Sequence, residues 1–161
     1  MSLRVLVLVS GGGSNLQALI DAQMGGKLGG AEIVGVVGDR LGIYALERAR
    51  LAGIPVQVMQ AERSLAKAQR RIELSNRILA QAQKLDVGLI VLAGFLQILQ
   101  GPLLSAYERR IINMHPALLP KFGGDGMYGQ HVHRAVLAAG ESESGCTVHF
   151  ADSGTDTGEI I

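Results

Sequence analysis

Asn113 and His115 stand one residue apart in IINMHPALLP, residues 111–120, where an apolar run ends and two prolines follow. A side-chain amide donates two hydrogen bonds without titrating, whereas an imidazole titrates near neutral pH and either gives or takes a proton. Such a pair suits a reaction at a carbonyl. If 103–112 leads into a short strand, the i, i+2 spacing sends both side chains to one face. Pro116 cannot donate to a ladder and Pro120 repeats the interruption, so the segment between them is expected to be loop, where active groups commonly sit. The same two side chains could instead satisfy buried backbone groups at a strand end, and the choice between these readings needs the elements around them.

At the N-terminus, RVLVLV (4–9) reads as a strand covered on both faces. SGGGSN (10–15) follows, and Leu16, Leu19 and Ile20 then fall at helical spacing. Glycines permit positive φ and close backbone approach, and Ser14 or Asn15 is expected to cap the helix, whose free N–H groups attract an anion. A phosphate is the obvious guest, although a tight turn before a capped helix needs none. There is no GxGxxG and no Lys after the glycines, so neither a dinucleotide nor a nucleoside triphosphate is indicated.

Further strands are predicted at 32–37, at 54–58 with Pro55 marking an edge, and at 87–94. Helices are expected at 43–52, at 64–84 with Leu65, Ile72, Ile78 and Leu79 inward, from Pro102 to Tyr107, and at 131–139. A strand at 146–150 and a turn-rich stretch at 152–158 precede the start of another strand. This alternation predicts a single α/β domain over 1–161: a three-layer, doubly wound, mostly parallel sheet with helices on both faces. Ligands of such sheets bind beyond the carboxyl ends of the strands. The glycine loop, residues 95–99, and the Asn113/His115 pair should therefore face one crevice. KFGGDGMYGQ (121–130) is expected to be a mobile lid. The charges of 64–84 read as a solvated face, from which Arg70 or Arg71 could reach an anionic ligand.

The bulk composition narrows the partners. Of 161 residues, 48% are apolar and 18% charged, with no apolar run long enough to span a bilayer. Fifteen Lys and Arg against 14 Asp and Glu give a net charge of +1, and six tyrosines and phenylalanines without tryptophan leave little for stacking bases. Neither nucleic acid nor membrane is expected as a partner. The N-terminus reads as a strand rather than a secretory signal, and Cys146, the single cysteine, excludes an intrachain disulfide. A cytoplasmic location fits, with Cys146 as a small buried residue. Four histidines raise a metal reading through His131 and His133 with His149 or His115. An i, i+2 pair on a helix diverges, however, and HExxH, paired cysteines and clustered carboxylates are all missing. No metal is expected; His131 and His133 are placed at a helix start on the surface, and His149 on a strand facing solvent or a neighbouring turn.

SGGGSNLQALIDA, VLAGFLQIL, NMHPALLPKF and GCTVHFADSGTDTGEII, in this order and spacing, resemble the folate-dependent phosphoribosylglycinamide formyltransferases (glycinamide ribonucleotide transformylases) of purine biosynthesis. The resemblance implies an enzyme that transfers a formyl group from 10-formyltetrahydrofolate to the amino group of glycinamide ribonucleotide. It implies Gly13, Ser14 and Asn15 as the ribonucleotide phosphate site, and Leu96, Gln97, Ile98 and Leu99, with Asn113, as the folate site. It also implies a catalytic trio of Asn113, His115 and Asp156, the last from the Asp-x-Gly of TDTG. Spacing alone does not choose Asp156 over Asp152. The family commonly has Arg where this chain has Gln97, and its members continue past residue 161 with a further strand and helix. The alternatives are a shortened ribonucleotide-binding domain without turnover, and a formyltransferase acting on another amine. Both substrates are small molecules, and a homodimer is compatible.

Overall fold

Leu6 and Leu8 alternate with Val5, Val7 and Val9 along the first strand, so this run is apolar on both faces and needs cover on both. The computed structural model, which describes residues 2–161, supplies that cover with helices on each side. Eleven elements follow one another: β1 (Leu3–Val9), α1 (Ser14–Met24), β2 (Ala31–Gly38), α2 (Tyr44–Leu51), β3 (Val56–Val58), α3 (Lys67–Lys84), β4 (Leu89–Leu92), α4 (Pro102–Ala106), β5 (Ile111–His115), α5 (Gln130–Ala138) and β6 (Thr147–Phe150). The strands form one sheet in the order β3-β2-β1-β4-β5-β6. β1 to β5 are parallel and β6 runs antiparallel to β5, which gives the mostly parallel, doubly wound α/β architecture expected.

The sheet divides two apolar layers. Leu6, Leu8, Ile90 and Ile111 pack with Leu74 and Ile78 of α3 and Leu103 of α4. Val5, Val7 and Val9 pack on the opposite face with Leu16 and Ile20 of α1 and Leu46 and Ala49 of α2. Each fully buried Leu, Ile or Val contributes roughly 1.5–3 kcal/mol against the ordering cost of the chain. Pro55 does precede an edge strand, since β3 closes the sheet on that side. A smaller cluster of Ala117, Val132 and Val136 seats α5 against the loop that follows β5.

Two expectations fail locally, and a third resolves between its alternatives. α3 turns Leu74, Ser75, Ile78 and Ala82 inward, whereas Ile72 is 41% exposed, because the Leu74–Ile78 i, i+4 stripe sets the buried face. Cys146 precedes β6 and is exposed. Of the two placements expected for His149, solvent or a neighbouring turn, the second holds: it is 2% exposed and faces Asp156 of the 152–158 turn. Among the described residues, no helix is long and apolar enough to cross a membrane.

Because the chain winds out from β1 to β3 and then crosses back to β4, the strand order reverses beside β1. The carboxyl ends of β1, β4 and β5 open there, and the loops that follow them meet.

Candidate active site

Asn113 and His115 occupy alternate positions on β5 itself and share a face, as their spacing requires. The antiparallel return of β6 sets His149 directly across from Asn113 and Thr147 across from His115. Asn113 Nδ2 donates to His149 Nε2 at 3.1 Å. His149 Nδ1 lies 2.9 Å from the Phe150 carbonyl, which can only accept, so the proton sits on Nδ1 and Nε2 is free to receive the amide. His149 thereby fixes the orientation of the Asn113 carboxamide.

Asp156 joins these three side chains. Its Oδ2 lies 3.4 Å from His115 Nδ1 and accepts from Gly124 N at 3.1 Å. Its Oδ1 lies 3.5 Å from Asn113 Nδ2 and 3.6 Å from His149 Nε2. The carboxylate is 9% exposed and the two rings 3% each, so little solvent screens the group. His115 Nε2 donates to the Phe122 carbonyl at 2.7 Å, so both ring nitrogens face oxygen. Asp152 does not reach the cluster: its Oδ1 accepts from Gly154 N and Thr157 Oγ1 at 2.9 and 2.7 Å, closing its own turn.

Asp156 is held out from β6 at φ 57°, a left-handed conformation that Asp tolerates better than most residues. Two positions on, Gly158 runs so close to β6 that an added Cβ would land on the Phe150 carbonyl. The Asp-x-Gly spacing thus has a steric cause. Gly158→Ala is expected to push the segment off β6, carry Asp156 away from His115, lower kcat at least about tenfold and destabilise by about 1–3 kcal/mol. Steady-state rates and denaturant unfolding of the variant check both numbers.

These residues line part of a cavity of about 520 Å³. Ser14 and Asn15 at the start of α1, residues 94–99 after β4, and residues 124–129 of the glycine-rich segment line the rest. Leu96 is 46% exposed, whereas Leu99 is 5% exposed and belongs mainly to the core. The segment expected to be a lid is tied to the site through Phe122 O and Gly124 N.

The start of α1 departs from expectation in a useful way. Gly13, not Ser14 or Asn15, is the N-cap, at φ 75°, and no side chain caps the helix. Among the described residues the N–H groups of the first turn therefore have no side-chain partner, which is the arrangement that receives an anion. Arg48 of α2 donates to Gly12 O at 2.8 Å and to Gln17 Oε1 at 3.0 Å, bracing the loop. A Cβ on Gly13 would lie 2.6 Å from Ala45 Cβ. Gly13→Ala is expected to cost about 1–2 kcal/mol from its φ alone, with the clash in addition. The KM for a phosphorylated substrate should rise with it, read against the KM for the second substrate.

A second cleft of about 1080 Å³ opens on the other side of Gln97, lined by Arg40, Arg63, Arg70 and Arg77 with Asp39 and Glu62. Arg70 lies here rather than in the first cavity; Arg71 lines neither. Asp39 raises the Arg40 guanidinium above its ordinary pKa through their hydrogen bond and charge attraction. His133, placed on the surface by its sequence, is exposed and also lines the first cavity. Among the described residues no set of three His, Cys, Asp or Glu has the geometry to hold a metal ion.

The profile of the formyl transferase family matches residues 3–161. Among curated proteins, the trifunctional purine biosynthetic protein adenosine-3 of Drosophila pseudoobscura pseudoobscura is 46% identical over 98% of this chain, which spans 11% of that protein. The chloroplastic phosphoribosylglycinamide formyltransferase of Vigna unguiculata is 38% identical over 98% of the chain, which spans 49% of its length. The solved glycinamide ribonucleotide transformylase 1 of Geobacillus kaustophilus superposes with a TM-score of 0.86 at 38% identity, covering all of this chain and 80% of that one. Matched along nearly its whole length by the family profile, the chain belongs to the formyl transferase family.

Proposed function

We propose that this chain, as a single domain, transfers the formyl group of 10-formyltetrahydrofolate to the amino group of glycinamide ribonucleotide. The observation that carries this reading is the meeting of Asn113, His115 and Asp156 at a cavity that also includes the start of α1. Family membership supports a folate-derived formyl donor, and the relatives' names support the acceptor.

In this reading the backbone N–H groups at Gly13, Ser14 and Asn15 receive the ribonucleotide phosphate, and the wall from Leu96 through Gln97 and Ile98 to Leu99 receives the pterin. The substrate amine attacks the formyl carbon; a C–N bond forms and the carbonyl electron pair moves onto oxygen. Asn113 Nδ2 has one hydrogen committed to His149, and its second contact, to Asp156, is at the 3.5 Å limit. That second hydrogen turns to the oxyanion. His115 supplies another once the donor displaces the Phe122 carbonyl from Nε2. Each such donor is typically worth roughly 3 kcal/mol in the transition state. Asp156, or a water it positions, takes the proton of the attacking amine and delivers it to the leaving folate nitrogen as the original C–N bond breaks. The products are tetrahydrofolate and the formylated amine. Both substrates fit a reducing cytoplasm.

Mixing the chain with glycinamide ribonucleotide and a 10-formylated folate, and following release of the deformylated folate, tests the proposal. Release that requires the ribonucleotide is the expected result. Ribonucleotide binding by calorimetry without turnover would overturn it in favour of a binding domain, and turnover with other amines alone would favour a different acceptor.

A further inference from the structure

Asp39 carries a buried carboxylate that the proposed chemistry does not use. It follows β2 directly, on the far side of β1 from the folate wall, and its side chain is only 2% exposed. Three hydrogen bonds occupy it: Arg40 Nε at 3.1 Å, Arg40 Nη2 at 3.2 Å and Gln97 Nε2 at 2.7 Å. Gln97 stands between the two clefts and lines both. The segment around it is anchored twice more by buried hydroxyls, since Leu96 N donates to Ser10 Oγ and Gln100 N to Ser75 Oγ, each at 2.9 Å. Neither serine lines either cleft, so they act on the wall only from behind.

A carboxylate only accepts. Facing one, the Gln97 carboxamide has to present its NH2 to Asp39, which fixes the orientation of the group and keeps Oε1, its acceptor, off the carboxylate. Among the described residues Oε1 has no hydrogen-bond partner. A ligand group that meets Oε1 must be a donor, N–H or O–H. We propose that Asp39 is a positioning residue for the formyl donor: by holding the Gln97 carboxamide with Nε2 on the carboxylate, it keeps Oε1 for an N–H or O–H of that molecule. This inference rests on the functional reading above.

Asp39→Asn keeps the shape but removes the constraint, because an amide can donate to Gln97 as well as accept from it. The variant, with Gln97→Ala and the double variant, is compared with the wild type for both KM values, kcat, and calorimetric binding of 10-formyltetrahydrofolate. Asp39→Asn is expected to raise the donor KM about 3- to 10-fold, the scale of one neutral hydrogen bond, with the ribonucleotide KM and kcat within about twofold. In the Gln97→Ala background the same change should add nothing. An unchanged donor KM, additive effects, or an equal rise in both KM values would overturn the proposal. Should Asp39→Asn not fold, Gln97→Ala alone must raise the donor KM, and failure to do so overturns it equally. A wild type that binds no formylated folate overturns the functional reading and this inference with it; wild-type binding that Asp39→Asn leaves unaltered overturns this inference alone.

Discussion

Replacing His115 by Ala lowers kcat by about 10²- to 10⁴-fold if the ring supplies a hydrogen to the developing oxyanion and helps direct proton transfer. The size of the effect follows from its setting. The ring is 3% exposed, at the carboxyl end of β5, with Asp156 on Nδ1 and the Phe122 carbonyl on Nε2. No neighbouring side chain can take its place. Asn113 is turned by His149, and the second histidine has its Nδ1 proton committed to Phe150 O. The ribonucleotide KM should change little, because the start of α1 belongs to a different loop. Truncating a buried side chain also costs stability, so unfolding in denaturant must be measured beside the rate. His115→Asn separates the two effects, since it restores one donor and much of the volume and should recover part of kcat. A kcat within about threefold of wild type in His115→Ala would remove the ring from the chemistry.

Much of this arrangement was legible in the residues, and the reasons are local. β1 announces itself because a strand covered on both faces cannot hide its apolar run, and the glycines after it mark the turn into α1. The shared face of Asn113 and His115 follows from the two-residue repeat of a strand. His149 was missed because its importance comes from register: only the antiparallel pairing of β6 with β5 sets it opposite Asn113. A strand's own sequence does not say which residue of another strand it faces, though an alternation that buries a His in CTVHF was a signal that could have been followed. Ser14 and Asn15 look like caps by residue type, yet the left-handed Gly13 takes the N-cap position. The Asp152/Asp156 choice needed a resemblance at first. In the structure, one carboxylate closes a turn and the other reaches both Asn113 and His115 on β5, which supports the proposed role of Asp156.

That contrast sets the second large expectation: Asp156→Asn loses about 10³-fold in kcat while stability is kept, and Asp152→Ala keeps kcat while losing a little stability. Asn tolerates the φ of 57° as well as Asp does and has its volume, so the backbone has no reason to move. The network does. If the new amide oxygen keeps Gly124 N and His115 Nδ1, the new NH2 faces Asn113 Nδ2, donor against donor, and competes with it for His149 Nε2. Flipped over, the amide sets its NH2 against the N–H of Gly124. The first arrangement releases Asn113 from the orientation that aims its free hydrogen, the second loosens the Gly124 contact, and in both no carboxylate remains to carry the proton of the attacking amine. Asp152→Ala frees Gly154 N and Thr157 Oγ1 instead. Its exposed turn should cost about 1 kcal/mol of stability, with kcat within a few-fold of wild type. Parallel rate and unfolding measurements on the two variants read this crossover directly, and equal losses of kcat in both would mean that the loop's shape, rather than the Asp156 carboxylate, supports the reaction.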